Sequence, residues 1–406
     1  MIFYAMIRKK IQLLRLIIIS IILASSNGFA GIIGFFILSP LMQLSGRKLA
    51  NIFNNVFVLI GWIIFPLAEN IATLFIARII QGLTFGGIFI NGMILAEYSD
   101  PKRRGCFITL KNTAISVGTL ICHVLSLVWN WRQIAAFSIT LSALGVILTL
   151  FWPESPSYLA MKGRVKECEE SFVWLRGTSN MLELENLLIS QTQKQKNMTK
   201  GTRYKFLLRA DFYYFVVYAV DILVELIGDK SIAIYCTIGA DLLIIAALIM
   251  SCVVISRFKR RSILFTFGTC TVLLMLLISL VIFLKIPSIK WLTPTLILFL
   301  CFLVNVGLIP VSFALIGELF PLEHKGCGSC MNGIIFTLLY TIMLKLTPVL
   351  MDNAGVQGIY GTYGMSIAIC LIVLYFVVPE TKDRPLPDIE NEFKQIKSSK
   401  HGFISE

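Results

Sequence analysis

The sequence predicts an all-α membrane protein, and two observations support this prediction. Of its 406 residues, 57% are apolar and 15% are charged, whereas roughly a quarter of a typical soluble chain is charged. Apolar runs of about 20 residues, the length of a helix that crosses a bilayer, recur along the whole chain. The composition therefore excludes an ordinary soluble enzyme, and it excludes a disordered chain, which needs low hydrophobicity.

Ten membrane helices are predicted from apolar stretches bounded by charged or turn residues. They are Phe53–Ala68, Ile71–Leu95, Ile108–Trp129, Ile134–Trp152, Phe212–Gly228, Ile232–Ile255, Ser262–Leu284, Leu292–Ile316, Gly333–Met351 and Gly358–Val378. One further apolar stretch, Ile11–Leu44, is too long for one comfortable crossing and tight for two. Its candidate turn is Ser25–Gly28.

The basic residues indicate that Ile11–Leu44 crosses the membrane twice. Cytoplasmic loops collect Lys and Arg, and roughly thirty of the 36 basic residues then fall on one side. Arg8–Lys10 and Arg47/Lys48 share that side. We therefore expect about 12 transmembrane helices with both termini cytoplasmic. In the alternative, Leu16–Ser26 is the apolar part of a cleaved signal peptide, and eleven helices remain.

A polar, basic stretch between Trp152 and Phe212 divides the predicted helices into two sets. Within it, Arg164–Arg176 interleaves apolar and charged residues, as does a short helix lying on the membrane surface. The predicted domains follow from this division. They are an N-terminal six-helix half at 1–152 with its first two helices shortened, a cytoplasmic linker with short interfacial helices at 153–209, a C-terminal six-helix half at 210–378 and a cytoplasmic tail at 379–406.

The loops of the two halves repeat one another at offsets of roughly 210 to 230 residues, as a duplicated six-helix unit would. The matched pairs are Glu97…Arg104-Gly105 with Glu318…Lys325-Gly326, Gly46-Arg47-Lys48 with Phe258-Lys259-Arg260-Arg261, and Pro153-Glu154-Ser155 with Pro379-Glu380-Thr381. Two such pseudo-symmetric halves predict a cavity between them, near the membrane midplane, that opens alternately to either side.

At these residues the sequence resembles the sugar-porter branch of the major facilitator superfamily, and within it the insect facilitated trehalose transporters. Further matching stretches are Ala77–Gly82, Ala96–Gly105, Pro153–Leu159, Gly317–Pro321, Gly361–Gly364 and Pro379–Lys382. The resemblance implies a multi-pass carrier in the plasma membrane. It would move a sugar, trehalose or a hexose, by facilitated diffusion and alternating access, with no cofactor.

Eight charged residues are expected at cytoplasmic helix ends, where cations gain from both the helix dipole and carboxylate partners. They are Arg47, Glu97, Arg104, Glu154, Arg260, Glu318, Lys325 and Glu380. The resemblance implies a network between the halves that holds the cytoplasmic side shut. The alternative is that these charges only orient the protein in the membrane. In the stretch Ala77–Gly82, Arg78 and Gly82 match a family motif, and Arg78 lies near the extracellular end of its helix, where it could reach the interface.

Substrate recognition is where the chain departs from the family. Sugar porters bind hydroxyl groups with amide side chains, which both donate and accept hydrogen bonds. Asn112 stands where the family has a glutamine in its fifth helix. The family's seventh helix carries a pair of glutamines followed by an asparagine, but the corresponding stretch here, Val224–Lys230, contains neither residue type. The tenth-helix stretch Gly307–Val311 lacks the tryptophan of the family motif. Gln43 stands where the family has an aspartate in its first loop motif. The residues expected to bind substrate are Asn112, Asp221, Asn305 and Pro310.

Two acidic residues of the predicted seventh helix keep a second function open. Asp221 and Glu225 are four residues apart and so share a helix face, and acidic residues inside a membrane are costly and usually functional. They would suit a proton-coupled or an organic-cation carrier of the same fold, although Glu225 could also simply reach extracellular water. A third reading is a degenerate relative that binds a solute without transporting it.

The remaining signals predict neither an enzyme nor a metal site. Cys327 and Cys330 have metal-ligand spacing, but no second pair of ligands accompanies them. His123 is a lone histidine in a predicted helix and is expected to be packed rather than catalytic. The chain has no phosphate-binding glycine loop and no nucleophile with a base. Its partners are expected to be a small solute and the lipid bilayer. The basic residues are interpreted as orienting the protein in the membrane, and no nucleic-acid partner is expected.

Overall fold

A computed structural model describes residues 26–100, 102–178, 230–284, 292–319 and 325–376, together with a few residues of 181–189 and of 378–382. Every regular element in these ranges is helical. Seven of the described helices are long and apolar enough to cross a membrane: Ser26–Leu44, Arg104–Leu125, Trp131–Leu150, Tyr235–Arg257, Arg260–Phe283, Leu292–Leu315 and Asn353–Tyr375. The all-α membrane class is therefore confirmed.

The first half contains six described helices. They are α1 (Ser26–Leu44), α2 (Arg47–Ile64), α3 (Ile71–Leu83), α4 (Gly87–Tyr98), α5 (Arg104–Leu125) and α6 (Trp131–Leu150). Two expectations were wrong. Ser26, Asn27 and Gly28 lie inside α1 rather than in a turn. The single helix predicted at Ile71–Leu95 is two, because the glycines that begin α4 and the Thr84 hydroxyl bonded to the Gln81 carbonyl favour a break.

Two short helices of the linker follow. In α7 (Pro156–Met161) the Ser155 side chain accepts a hydrogen bond from the Tyr158 amide, and proline occupies the first turn, where its missing N–H costs nothing. The predicted surface helix at Arg164–Arg176 is present as α8 (Val165–Arg176). Tyr158, Leu159, Cys168 and Phe172 form the apolar cluster that joins α7 to α8.

The second half contains α9 (Lys230–Arg257), α10 (Arg260–Phe283), α11 (Leu292–Leu303), α12 (Ile309–Leu319) and α13 (Lys325–Tyr375), which breaks at Gly355 with φ of +67°. A π-helical turn, Val304–Leu308, joins α11 to α12. Pro310 explains this turn, because its ring cannot donate to the carbonyl four residues earlier. The predicted helix Phe212–Gly228 lies outside the described residues.

The largest apolar core joins the two halves. It combines Ala96 and Ile108 of the first half with a large set of second-half residues that includes Ile255, Ile263 and Leu308. Helix α5 packs along α9 across this boundary. We call the end of the bundle that carries Arg47, Arg104 and Arg260 the basic end. The halves are in contact at the basic end.

Candidate functional site

A buried ion pair at the basic end ties two helices of the first half together. Nε of Arg47, the first residue of α2, donates to Oε2 of Glu97 in α4 at 3.0 Å, and its Nη2 donates to Oε1 at 3.1 Å. Both side chains are 1% exposed. Ser155 Oγ donates to the same carboxylate at 2.5 Å. The two-pronged geometry and the burial make this a strong, directional contact.

A second carboxylate, that of Glu154, caps the start of α2. It accepts hydrogen bonds from the backbone N–H groups of Arg47 at 2.8 Å, Lys48 at 3.2 Å and Ser155 at 2.8 Å. A negative charge is stabilised there because the first amides of a helix have no internal partner. Gly46 makes room for it: its φ is +104°, and a methyl group at this position would overlap the carboxylate.

Tyr158 of α7 covers this network from the linker. Its ring lies 5.1 Å from Arg47 Cζ, and its hydroxyl donates to the Leu44 carbonyl at 2.8 Å. Burial and the nearby Glu154 carboxylate raise the pKa of the Tyr158 phenol, and Arg47 opposes them. Tyr158 therefore stays neutral and keeps its donor. Arg176 of α8 adds contacts to the carbonyls of Glu97 and Ser99.

The second half repeats the cap. Glu380 accepts hydrogen bonds from the backbone N–H groups of Arg260 at 2.9 Å and Arg261 at 3.1 Å, at the start of α10. Nη1 of Arg260, which is 1% exposed, donates to the Ile255 carbonyl. In the first half, Nη1 of Arg47 likewise points at the carbonyl of Met42, five residues earlier. The internal repeat thus produces the same local unit twice.

The halves meet closely where α5 begins. Arg104 is buried, and its Nε donates to the Ala96 carbonyl at 2.9 Å, near the end of α4. A methyl group at Gly105 would overlap Ile255 of α9 and lie 2.7 Å from Arg260 Nη2. The side chains of Glu318 and Lys325, the expected second-half counterparts of Glu97 and Arg104, lie outside the described residues.

Within the described residues, part of the expected network is present around Arg47, Glu97 and Glu154. The described partners of Glu97 belong to its own half or to the linker, so this carboxylate stabilises the N-terminal half directly. It is also a buried group. The Gly105 backbone contacts Ile255 and Arg260 across the boundary.

Asn112 lies in the middle of α5 and is 6% exposed. Among the described residues, neither its amide nitrogen nor its amide oxygen has a hydrogen-bond partner. Leaving a buried polar group unpaired costs about 1–3 kcal/mol. An amide that is buried, uncommitted and placed on an inter-half helix is what a hydroxyl-rich solute would need.

Lys111, next to Asn112, was missed by the sequence reasoning. Its Nζ donates to the Ile88 carbonyl of α4 at 3.3 Å and lies 4.6 Å from the ring centroid of Phe313 in α12. The stretch Gly307–Val311 lacks the tryptophan of the family motif, but the aromatic ring of Phe313 lies one turn beyond Pro310. The signal that could have identified Lys111 is its positive charge inside an otherwise apolar predicted helix.

The other expected substrate residues occupy the π-helical turn and its exit. Asn305 is buried, and its Nδ2 donates to the Cys301 carbonyl at 2.8 Å. Pro310 is buried in α12. A methyl group at Gly307 would overlap the Phe267 ring of α10, so the turn lies directly against that helix. Asp221 and Glu225 lie outside the described residues, as does the side chain of Cys327.

The motif residues Arg78 and Gly82 lie on α3. The Arg78 guanidinium carbon lies 5.0 Å from the ring centroid of Phe65, so it makes a cation–π contact rather than reaching only for solvent. A methyl group at Gly82 would lie 2.5 Å from Ala30 Cβ and 2.7 Å from the Asn27 carbonyl oxygen. Glycine is therefore what allows α3 to approach α1.

His123 has an acidic partner that the sequence did not predict. Its Nδ1 lies 2.5 Å from Oδ2 of Asp241 in α9, so the contact joins the two halves. Asp241 is 6% exposed at its side chain and His123 is 39% exposed. The sequence reasoning did not single out Asp241, because its helix is otherwise strongly apolar and the partner is 118 residues away.

The model of the family described as "Sugar (and other) transporter" matches residues 15–393. The chain belongs to this family. It is 25% identical over 397 residues to the facilitated trehalose transporter Tret1 of Drosophila yakuba, covering 89% of this chain but only 45% of that protein. It is 23% identical to Tret1 of Bombyx mori over 89% of this chain and 76% of that protein. The chain thus spans less than half the length of the fly relative.

The fold matches that of a solved member of the major facilitator superfamily. The proton:xylose symporter XylE, bound to 6-bromo-6-deoxy-D-glucose, aligns with a TM-score of 0.82 at 18% identity. The alignment covers 92% of this chain and 89% of that one. The expected major facilitator fold is therefore confirmed, and the chain is a multi-pass membrane protein of the sugar transporter family.

Proposed function

We propose that this protein is a plasma-membrane carrier that moves a sugar, trehalose or a hexose, by facilitated diffusion and alternating access. The observation that carries the proposal is Asn112, a buried amide on an inter-half helix with both polar atoms unpaired among the described residues. The names of its relatives support a sugar as the solute. The Phe313 ring, whose centroid lies 4.6 Å from Nζ of the adjacent Lys111, would supply an aromatic surface near this amide.

The basic end supplies the gate in this proposal. We place it on the cytoplasmic side, because the basic loops collect there. The two halves, 1–152 and 210–378, would rock about the boundary between them, with 153–209 as the linker and both termini in the cytoplasm. Opening the basic end requires Gly105 to separate from Ile255 and Arg260. Arg47, Glu97 and Glu154 would move as one rigid unit with α2 and α4.

The test is uptake of labelled trehalose, glucose and xylose into transporter-deficient cells that express the chain. Saturable uptake of one of them, insensitive to a protonophore, is expected. Asn112→Ala should weaken the apparent affinity about tenfold, because roughly one hydrogen-bonding group of the solute loses its partner. Thr119→Ala is the matched control, since its exposed hydroxyl bonds only to the Ile115 carbonyl in the described part of the chain. Normal surface expression without saturable uptake would contradict the proposal.

A second candidate follows from intramembrane charge. Lys111, and Asp221 in the seventh helix predicted from the sequence, would suit a charged solute or a proton better than a neutral sugar. A carrier of this kind would lose uptake when a protonophore collapses the gradient. Binding of a sugar without transport would instead indicate that the protein is a degenerate relative, which binds a solute but does not move it.

A further inference from the structure

The contact between His123 and Asp241 joins the two halves far from the basic end. Helix α5 contributes the histidine and α9 the aspartate, with Nδ1 and Oδ2 2.5 Å apart. At the basic end the same two helices meet again, where Gly105 abuts Ile255 and the Cys252 thiol lies 4.0 Å from the Cys106 carbonyl. The pair therefore occupies the opposite end of one continuous α5–α9 interface.

Asp241 is the charged group that faces His123 in the described part of the chain. On α5 itself, Lys111 lies 12 residues from His123, about 18 Å along the axis. On α9, Lys230 and Arg257 are separated from Asp241 by roughly 17 Å and 24 Å along the helix axis. The other charged residues of the elements packed against α5 and α9 lie at the basic end; they are Arg104, Glu97, Glu318, Arg260 and Arg261.

We propose that His123 and Asp241 form a proton-binding site that regulates which end of the carrier opens. The proposal rests on the proposed function only in assuming that the halves move by alternating access. In the unprotonated pair, neutral His123 donates Nδ1–H to the Asp241 carboxylate. A proton from the aqueous side adds to Nε2 and leaves the Nδ1–H···Oδ2 hydrogen bond in place.

Protonation strengthens the contact. It turns a hydrogen bond from a neutral donor to a carboxylate into an ion pair, which adds Coulomb attraction between opposite charges to the hydrogen bond already present. In general, histidine is the side chain whose unperturbed charge change falls between about pH 5 and pH 8, so this is the range to test. A stronger contact disfavours the state in which α5 and α9 separate at this end. Acidification should therefore disfavour states that are open here, and so raise the population open at the basic end relative to them.

Native cysteines report this shift without any solute. Cys106 and Cys252 lie at the basic end of the α5–α9 interface, so alkylation of both should rise when that end opens. The full-length purified protein is labelled with a maleimide at about pH 6 and about pH 8, and the peptides are quantified by mass spectrometry. Dividing each rate by that of Asp241→Asn at the same pH removes the intrinsic pH dependence of the thiols.

The expected result is a ratio of wild type to Asp241→Asn that is about fivefold higher at pH 6 than at pH 8. His123→Gln should behave like Asp241→Asn, whereas Asp241→Glu, which keeps a carboxylate, should retain the response. Thr119→Ala, one turn away on α5, is the matched control and should match wild type. Cys168 monitors folding, because it is fully buried and burial raises the pKa of its thiol to about 11.

A ratio that is the same at both pH values, with Cys168 unlabelled, would overturn the proposal. Retention of the full wild-type pH response in His123→Gln would also overturn it. The readout uses no sugar, so failure of sugar uptake would refute the proposed function and leave this inference to be decided by the labelling ratio.

Discussion

The two arginine-centred units at the basic end are built alike but covered differently. In each, an arginine begins a helix, a glutamate caps that helix through backbone N–H groups, and the guanidinium reaches a carbonyl five residues earlier. Arg47 is then enclosed by its own half and the linker, through Glu97 and Tyr158. Arg260 lies against Gly105 of the other half. The duplicated sequence thus repeats the cap, whereas the neighbour that covers each arginine differs.

This difference assigns different work to the two units. Arg47 ties α2 to α4 within one half, which would move as one body in the proposed carrier, so perturbing it should affect stability. In the proposed carrier, Arg260 would lie at a surface that separates during alternating access, so perturbing it should affect the balance of states. The following changes test this distinction.

The largest effect is expected for Glu97→Gln. The change leaves the Arg47 charge buried without its carboxylate, which should cost about 3–5 kcal/mol of folding free energy. Thermal unfolding of the detergent-solubilised protein and surface expression would measure it. The control is Glu167→Gln on α8, whose pair with Arg164 is about half exposed and should contribute at most about 1 kcal/mol. Equal effects of the two changes would show that the Arg47–Glu97 pair is not a structural core.

An intermediate effect is expected for Gly105→Ala. The added methyl group overlaps Ile255 and crowds Arg260, and overpacking of this kind costs about 1–3 kcal/mol. Because the crowding exists only while the basic end is closed, the cost should appear as a shift toward the state open at that end. Alkylation of Cys252 would report it.

The matched control for this change is Gly118→Ala on the same helix, where a methyl group would meet nothing within 4 Å. It should leave the alkylation rate unchanged. A loss of thermal stability in Gly105→Ala with no change in alkylation would mean that the contact is static packing and not part of the gate.

The smallest effects are expected for Glu154→Gln and Glu380→Gln. Each removes a negative charge from a helix N-terminus and retains one acceptor oxygen, so each should cost about 1 kcal/mol. The two costs should be similar in thermal unfolding, since the caps have the same geometry. A large cost in only one half would show that the repeat is not energetically symmetric.

Much of the fold could be predicted from the sequence because the bilayer imposes a length and an apolar composition on each helix. Helix positions agreed with the structure for α5, α6, α9 and α10 to within a few residues. The break between α3 and α4 was missed, because an apolar run conceals a glycine-rich interruption. The repeat placed Glu154 and Glu380 beside the basic loops, but their capping roles were not predicted, because the cations were expected at helix C-termini and Arg47 and Arg260 instead begin their helices.

The sequence by itself determined the all-α membrane class, the two-half organisation and the basic end, because hydropathy and charge are properties of local stretches. Only the tertiary structure decided which charges meet. Glu97 pairs with Arg47 across 50 residues, and His123 pairs with Asp241 across 118. Lys111 and Phe313 come together from opposite halves. Such contacts depend on helix rotation and crossing, and a charged side chain between apolar helices binds whichever partner that packing brings within reach.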